Sequence, residues 1–338
     1  MTASMAPAIL GASDKSGTKK PIIGSGEHKY EVTHGWGEVP AHIKWGETHG
    51  VAVDSQGFVY IKHRTRAAEA PMDSIAVFDP DGKFVRSWGK QYHSGGHGID
   101  IRKEGNEEFL YLCVTVGPGR IIKATLKGEE IWVKEKPTET GKYDDPNALY
   151  KPTNICFAPD GGFYVADGYG SHFIHQYDKD AKWVRTWGGF GDQPGQFKTP
   201  HGLWLDDRAG REPRIAVCDR ANGRLQYFTL DGKHTEFVGG VSFPAHLETR
   251  GDVMLCPDLH ARVTLLDKDN KVITHLGYDQ AWTDAVLDGG KFTMRGKPET
   301  WEPGKFLHPH DACFDKAGNI FVVEWVLTGR VSLLKKVS

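Results

Sequence analysis

The chain has 338 residues, of which 39 % are hydrophobic and 25 % are charged, and its formal net charge is −2. This composition is typical of a globular protein with a large core, and it excludes disordered and collagen-like chains. The near-neutral charge provides no overall field that would attract a polyanion, so we expect neither a nucleic acid nor a membrane as a partner.

Cysteine usage and hydropathy bear on the compartment. The five cysteines are scattered without the CxxC spacing of a metal site and form no recognisable disulfide framework. No segment is long and apolar enough to predict a membrane span, and the N-terminus lacks the pattern of an export signal. These features together predict a cytoplasmic protein.

The sequence contains an internal repeat. Residues 49–61 and 74–89 recur as residues 153–165 and 173–188, and each copy shows alternating apolar positions separated by Asp-Gly or Asp-Lys turns. This pattern predicts four short strands per copy, which is one blade of a β-propeller. Copies begin near residues 48, 96, 152, 200, 245 and 309, which predicts an all-β protein with six blades.

The N-terminal region is predicted to close the ring. The last copy has only three strands, and residues 30–37 resemble the endings of the fourth strands in earlier copies. Because an open edge is a liability that closure removes, we expect residues 28–36 to complete the sixth blade of a single domain, 28–338. Residues 1–27 are predicted to be a flexible arm.

Two insertions interrupt the repeat, at residues 135–150 and 278–307. Long connections in compact folds are often functional, although each could also be a solvated linker. The second insertion is a candidate lid or specificity loop.

One face of the predicted propeller collects unusual side chains. The start of the first strand and the end of the second strand of each blade meet on the same face, near the central channel. The strand-one starts are His49, His97, Thr153, His201 and His310, with His246 a less certain sixth, and the strand-two ends are Arg64, Tyr169, Arg220 and Trp325.

Three of these histidines predict a metal site. His97, His201 and His310 stand on alternate blades, so near-threefold symmetry should bring them together and leave coordination positions open, as in a catalytic zinc site. A single such histidine would more often be a packing residue, but several at one repeat position are harder to explain in that way. His49 is a further candidate ligand, and a fourth imidazole from His49 or His246 would suit iron(II) instead.

The polar neighbours predict the kind of substrate. The guanidinium groups of Arg64 and Arg220 match the planar geometry of a carboxylate, although Arg220 could instead form a structural ion pair and Arg64 could lie in a solvated loop. Tyr169 is a candidate general base, because nearby positive charge favours its phenolate form.

The sequence resembles the peptidyl-α-hydroxyglycine α-amidating lyase family, whose members are six-bladed propellers of NHL-type repeats. The resemblance spans about residues 48–335 and is strongest in 151–228. It is carried by Val165-Ala-Asp-Gly-Tyr-Gly, Pro194-Gly-Gln-Phe-Lys-Thr-Pro-His-Gly-Leu, Cys218-Asp-Arg-Ala-Asn-Gly-Arg-Leu-Gln-Tyr-Phe, Lys62-His-Arg, Gly96-His-Gly-Ile-Asp and Pro309-His-Asp.

The resemblance implies roles for individual residues. It assigns a zinc ion to His97, His201 and His310, and catalytic roles to Tyr169, Arg64 and Arg220. It also implies a structural calcium ion bound by Asp311 and the main-chain carbonyls of Val51 and Ile99. The sequence departs from the secreted members of the family at Gly170 and Tyr227, which stand at positions of disulfide-forming cysteines.

These observations predict a zinc-dependent lyase. It would cleave the C–N bond of an α-hydroxyglycine-type carbinolamide, giving an amide and glyoxylate, and its substrate would be a small-molecule or peptide-derived compound with a carboxylate. One alternative is a four-histidine iron oxygenase or a divergent lyase that uses the same face. Another is a non-catalytic NHL propeller that binds protein or RNA.

Overall fold

The computed structural model describes residues 20–337 and confirms an all-β, six-bladed propeller. Six antiparallel sheets surround a central channel, and each has four strands except the last, which has five. The strands of the first three blades are β3 (Glu47–Val53), β4 (Val59–Arg64), β5 (Ile75–Phe78), β6 (Phe84–Trp88), β7 (Gly96–Glu104), β8 (Glu107–Val114), β9 (Arg120–Thr125), β10 (Glu130–Lys134), β11 (Asn154–Phe157), β12 (Phe163–Ala166), β13 (Phe173–Tyr177) and β14 (Trp183–Gly188).

The remaining blades follow the same order. Their strands are β15 (Pro200–Asp206), β16 (Arg214–Asp219), β17 (Arg224–Phe228), β18 (His234–Val238), β19 (Glu248–Arg250), β20 (Val253–Asp258), β21 (Arg262–Leu266), β22 (Val272–Leu276), β23 (Pro309–Phe314), β24 (Ile320–Glu324) and β25 (Arg330–Val337), together with the N-terminal strands β1 (Ile22–Ser25) and β2 (His28–His34).

Strand β2 closes the ring. It pairs antiparallel with β25, from Lys29 opposite Val337 to His34 opposite Ser332, and so becomes the fourth strand of blade six. Its alternation explains the pairing, because Tyr30 and Val32 are buried against the core whereas Glu31 between them is only partly buried.

The predicted flexible arm is partly wrong. Residues 22–25 form β1, which pairs with β2 in a short hairpin and adds a fifth strand to blade six. The remainder of the predicted arm, residues 1–19, lies outside the described residues.

The hydrophobic core lies between neighbouring blades. Blades one and two, for example, pack through Val77, Ile99 and Leu112, which are all buried. The five cysteines are buried and form no disulfide. Within residues 20–337, no helix has the length and apolar character needed to cross a bilayer.

Both insertions pack against the propeller. Residues 278–307 contain helix α1 (Gln280–Leu287), whose first turn is capped by the Asp279 carboxylate accepting a hydrogen bond from the Trp282 amide at 2.8 Å. Trp282 is buried beside Leu307 and Val326. In 135–150, the buried Tyr143 donates its hydroxyl hydrogen bond to Asp167 at 2.8 Å.

Candidate metal centre

Three histidine rings form a nearly equilateral triangle at the mouth of the channel. The ring centroids of His97 and His201 are 4.8 Å apart, those of His97 and His310 are 4.8 Å apart, and those of His201 and His310 are 4.7 Å apart. The rings are steeply inclined to one another, at 68° to 81°. The strands of blades two, four and six therefore bring these side chains together.

His49 forms a second triangle on the same edge. Its ring centroid lies 4.4 Å from that of His310 and 5.2 Å from that of His97. Ring nitrogens of these three histidines lie within 4.8 Å of one another, which is close enough to share a metal ion. The site thus offers four imidazoles.

Each of these histidines lies at an irregularity of its strand. The pairing of the first strand with the second shifts register between Thr48 and Gly50, between Gly96 and Ile99, between Pro200 and Leu203, and between Pro309 and Asp311. Such bulges interrupt the alternation of side chains and redirect one of them. Here each interruption contains a channel histidine.

Main-chain carbonyls determine the tautomer of all four rings. The Nδ1 atom of His49 lies 3.0 Å from the oxygen of Glu47, that of His97 2.7 Å from Thr153, that of His201 2.6 Å from Ala245 and that of His310 2.8 Å from His49. A carbonyl only accepts hydrogen bonds, so each Nδ1 is the donor and each Nε2 presents its lone pair to the channel.

Glycines allow two of these carbonyls to come close. A Cβ atom at Gly98 would lie 2.5 Å from the Thr153 oxygen that anchors His97, and one at Gly202 would lie 2.5 Å from the Ala245 oxygen that anchors His201. In both His-Gly pairs, the absence of a side chain on the glycine leaves room for the carbonyl oxygen that orients the preceding histidine ring.

Burial keeps the rings neutral. Loss of solvation lowers the pKa of His310 to about 3, and it lowers the pKa values of His49, His97 and His201 well below the ordinary value of a histidine. The Nε2 atoms of His97 and His201 are 3.2 Å apart, and that of His310 is buried with no hydrogen-bond partner in residues 20–337. Lone pairs converging without a proton fit a bound cation, so the site suits a transition-metal ion.

Tyr169 and Arg220 stand beside the triangle. The Tyr169 hydroxyl lies 3.0 Å from Nε2 of His201 and 3.3 Å from Nε2 of His97, and it accepts a hydrogen bond from Nη1 of Arg220 at 3.1 Å. Arg220 is buried between the rings of Tyr169 and Phe243. The tyrosine oxygen thus shares one small space with two of the imidazoles and one cation.

Arg64 lies on the other side of the mouth, held by an acidic residue. Its Nε donates to Oε2 of Glu47 at 2.8 Å, and its Nη2 contacts the same oxygen. The other carboxylate oxygen of Glu47 accepts a hydrogen bond from Nη2 of Arg295 at 2.6 Å. Neither Glu47 nor Arg295 was identified from the sequence, and Arg295 comes from the second insertion.

His246 belongs to a different cluster. Its Nδ1 accepts a hydrogen bond from Asn154 at 3.0 Å, and its Nε2 lies 3.6 Å from Asp311 and 3.9 Å from Asp100. The structure therefore places this histidine among carboxylates and not with the four channel imidazoles.

Beside this histidine lies a small cavity of about 80 Å³, whose lining includes two carboxylates, Asp100 and Glu248, together with Val51 and His246. Asp311 does not line the cavity itself, but its Oδ1 lies 3.6 Å from Nε2 of His246. The carboxylate of Asp311 accepts hydrogen bonds from the amides of Val51 and Ala312. Ile99 directly precedes Asp100 and does not line the cavity.

Burial raises the pKa values of Asp100 and Glu248 to about 8 and raises that of Asp311 as well. Oδ2 of Asp100 has no hydrogen-bond partner in the described part of the chain. Carboxylate oxygens around one cavity are the ligands that calcium prefers, so the residues fit such an ion.

Comparison with known proteins confirms the family resemblance. The mouse protein named peptidyl-glycine alpha-amidating monooxygenase is 30 % identical over 219 residues, which are 57 % of this chain and 21 % of the relative. The Drosophila melanogaster protein named peptidyl-alpha-hydroxyglycine alpha-amidating lyase 1 is 27 % identical over 303 residues, which are 83 % of this chain and 51 % of the relative. The chain thus spans about a fifth of the first relative and half of the second. No family model matches the chain.

Among solved structures, a gluconolactonase from Xanthomonas campestris superposes with a TM-score of 0.57 at 14 % identity, over 90 % of this chain and 89 % of the other. At this identity the likeness concerns the fold alone.

Proposed function

We propose that the protein is a metal-dependent lyase that cleaves an N-acyl-α-hydroxyglycine into an amide and glyoxylate. The observation that carries this proposal is the convergence of three Nε2 lone pairs, the Tyr169 hydroxyl and the Arg220 guanidinium on one small space. The relatives named as lyases support the same reaction type.

The metal would be zinc held by His97, His201 and His310. Its chemistry is that of a Lewis acid, which makes the hydroxyl group of the substrate easier to deprotonate. The three imidazoles contribute neutral ligands whose orientation is set before any ion binds, because their Nδ1 atoms are already anchored.

Tyr169 would be the base. In its phenolate form it takes the proton of the substrate hydroxyl, the C–O bond becomes a carbonyl, and the C–N bond breaks with its electron pair going to nitrogen. Tyr169, which now carries the proton of the hydroxyl, gives it to the nitrogen, and this gives the amide and restores the phenolate. Arg220 stabilises the phenolate through its hydrogen bond to the tyrosine oxygen.

Arg64 would bind the substrate carboxylate. Glu47 engages the Nε and Nη2 side of its guanidinium, so that Nη1 remains for a ligand. The substrate class that follows is a small-molecule or peptide-derived compound with a carboxylate next to the reacting carbon.

Replacement of the tyrosine tests this proposal. We expect Tyr169→Phe to lower kcat for glyoxylate release about a hundredfold or more while metal content stays the same, since a general base contributes roughly 10²–10⁴ in rate. The exposed Tyr278→Phe is the matched control. Unchanged turnover in Tyr169→Phe would exclude the tyrosine as base.

The fourth imidazole supports a second candidate. Because His49 is within metal-sharing distance of His97 and His310, the same face could hold iron(II) and act as an oxygenase or a different lyase. Metal analysis separates the two candidates.

We also propose a structural calcium ion in the acidic cavity, with Asp100, Glu248 and Asp311 as its carboxylate ligands.

A further inference from the structure

A cleft of about 390 Å³ opens beside Arg64 on the same face as the channel histidines. Its lining residues lie at the start of the first strand or the end of the second strand of blades one, two and six, or in the loops next to these strand ends. They are Glu47, Arg64, Thr65, Arg66, Ala67, Ser94, Val116 and Leu327. The main-chain oxygen of Glu47 also anchors Nδ1 of His49 at 3.0 Å, so the cleft adjoins the metal centre.

The cleft carries an excess of positive charge. Two of its lining residues are arginines and one is a glutamate, and both carboxylate oxygens of that Glu47 are already engaged by Arg64 and Arg295. Arg66 is exposed and forms no ion pair with any residue between 20 and 337. Arg64, Arg66 and Arg295 together exceed Glu47 by two positive charges.

The second insertion stabilises one wall of the cleft. Arg295 stacks on Trp325, with its guanidinium carbon 3.3 Å from the ring centroid, and its Nε donates to the Trp325 carbonyl at 3.0 Å. The carbonyl of Arg295 accepts a hydrogen bond from the amide of Leu327, a lining residue, at 3.0 Å. These contacts involve only protein atoms, so this wall of the cleft is preorganised for a ligand.

We propose that this cleft binds the acyl group of the substrate and selects a short acyl group that ends in a carboxylate. This inference rests on the proposed function, because it takes the reacting carboxylate to lie between Arg64 and the metal centre. The cleft volume is near the lower end of the roughly 300–1,000 Å³ of ligand pockets, which favours a short group over a peptide. Arg66 is the cation left to receive the second carboxylate.

The test compares two substrates that differ only in charge. N-succinyl-α-hydroxyglycine ends in a carboxylate, and N-succinamoyl-α-hydroxyglycine has a neutral amide of the same shape. For the metal-loaded wild type we expect kcat/KM to favour the succinyl compound about tenfold, and we expect Arg66→Gln to reduce that ratio about fivefold. Lys103→Gln, which removes an exposed positive charge outside the cleft, should leave the ratio unchanged. A wild-type ratio near one, or an unchanged ratio in Arg66→Gln, overturns the inference.

Calorimetric binding of succinate separates this inference from the proposed function. If neither compound is cleaved but succinate binds wild type about fivefold more tightly than Arg66→Gln at constant ionic strength, the lyase proposal fails and the proposal of an anion-binding cleft stands. Equal affinity of both proteins for succinate would overturn the proposed role of the cleft.

Discussion

Glycine follows three of the four channel histidines, and two of these glycines decide where a histidine points. Gly98 and Gly202 leave room for the carbonyl oxygens that accept from Nδ1 of His97 and His201. Orientation of a metal ligand by such a partner is typically worth ten- to a hundredfold in metal affinity.

We therefore expect Gly202→Ala to weaken zinc binding about tenfold or more, because its Cβ atom would push the Ala245 carbonyl away from His201. Titration with a competing chelator measures the affinity. Gly239→Ala is the matched control, since Gly239 has open space around it and an ordinary φ. Equal zinc affinities of the two variants would contradict the role of Gly202.

His175 is a buried histidine outside the metal centre, and it gives the protein a measurable acid sensitivity. It lies 2.7 Å from the Tyr143 hydroxyl and 2.9 Å from the Thr186 hydroxyl, and burial lowers its pKa from 6.5 to about 3. The folded state thus holds this ring neutral, whereas the unfolded state binds a proton below pH 6.5. Its contribution to stability is present above that pH and is lost as the pH falls toward 3.

Between pH 7 and pH 5, this linkage should cost about 2 kcal/mol, since each pKa unit is worth about 1.4 kcal/mol. We expect His175→Gln, which keeps a hydrogen-bonding side chain without titrating, to lose that much less stability than wild type over the same interval. Denaturant unfolding at the two pH values gives the difference. If both proteins lose the same free energy, His175 does not titrate as described.

The channel histidines could be predicted from the sequence, whereas the acidic residues Asp100 and Glu248 could not. His49, His97, His201 and His310 recur at one position of the repeat, so the sequence alone identifies them as a group. Asp100 and Glu248 follow the register shift or the short turn of their first strands, where simple alternation no longer says which side chain faces the channel. Arg295 lies in an insertion that has no repeat position at all.

At the scale of elements, strand β2 joins the N-terminal part of the described residues to the C-terminal strand β25. Its buried residues Tyr30 and Val32 pack in the same cluster as Leu334 of β25 and Val322 of β24. The resemblance of residues 30–37 to other fourth strands made this pairing predictable. Strand β1 was missed because the short Ile22–Ser25 segment is largely exposed and carries no alternation.

Truncation of a side chain in β2 tests its contribution. We expect Val32→Ala to lower the free energy of unfolding by about 2 kcal/mol, because it removes buried methyl groups from the contact between strands β2 and β25. Lys29→Ala changes an exposed residue of the same strand and should alter stability by less than about 0.5 kcal/mol. A similar small effect of both changes would mean that β2 contributes little to closure.

For the whole molecule, the channel combines two kinds of site. Imidazole nitrogens of the channel histidines meet at its mouth, and the carboxylates of Asp100 and Glu248 line the small cavity beside His246. Three buried carboxyl groups repel one another when they ionise, so a divalent cation bound there would stabilise the ring as a whole.

Added calcium should therefore raise the Tm of chelator-treated protein, and Glu248→Gln with Asp100→Asn should remove that increase. The shift is measured by thermal unfolding with and without millimolar calcium, and magnesium serves as the control because the cavity offers few positions for its retained waters. A calcium-induced shift that survives in the double variant would place the ion elsewhere.

Metal content of the purified protein tests the central claim most directly. Wild type, His201→Ala and the exposed control His42→Ala are purified without added metal and analysed for zinc and iron. The account predicts about one zinc ion per chain in wild type and His42→Ala and its loss in His201→Ala. Iron in place of zinc would favour the four-histidine alternative, and a His201→Ala variant that keeps the metal, or a wild type without any, would contradict the proposed centre.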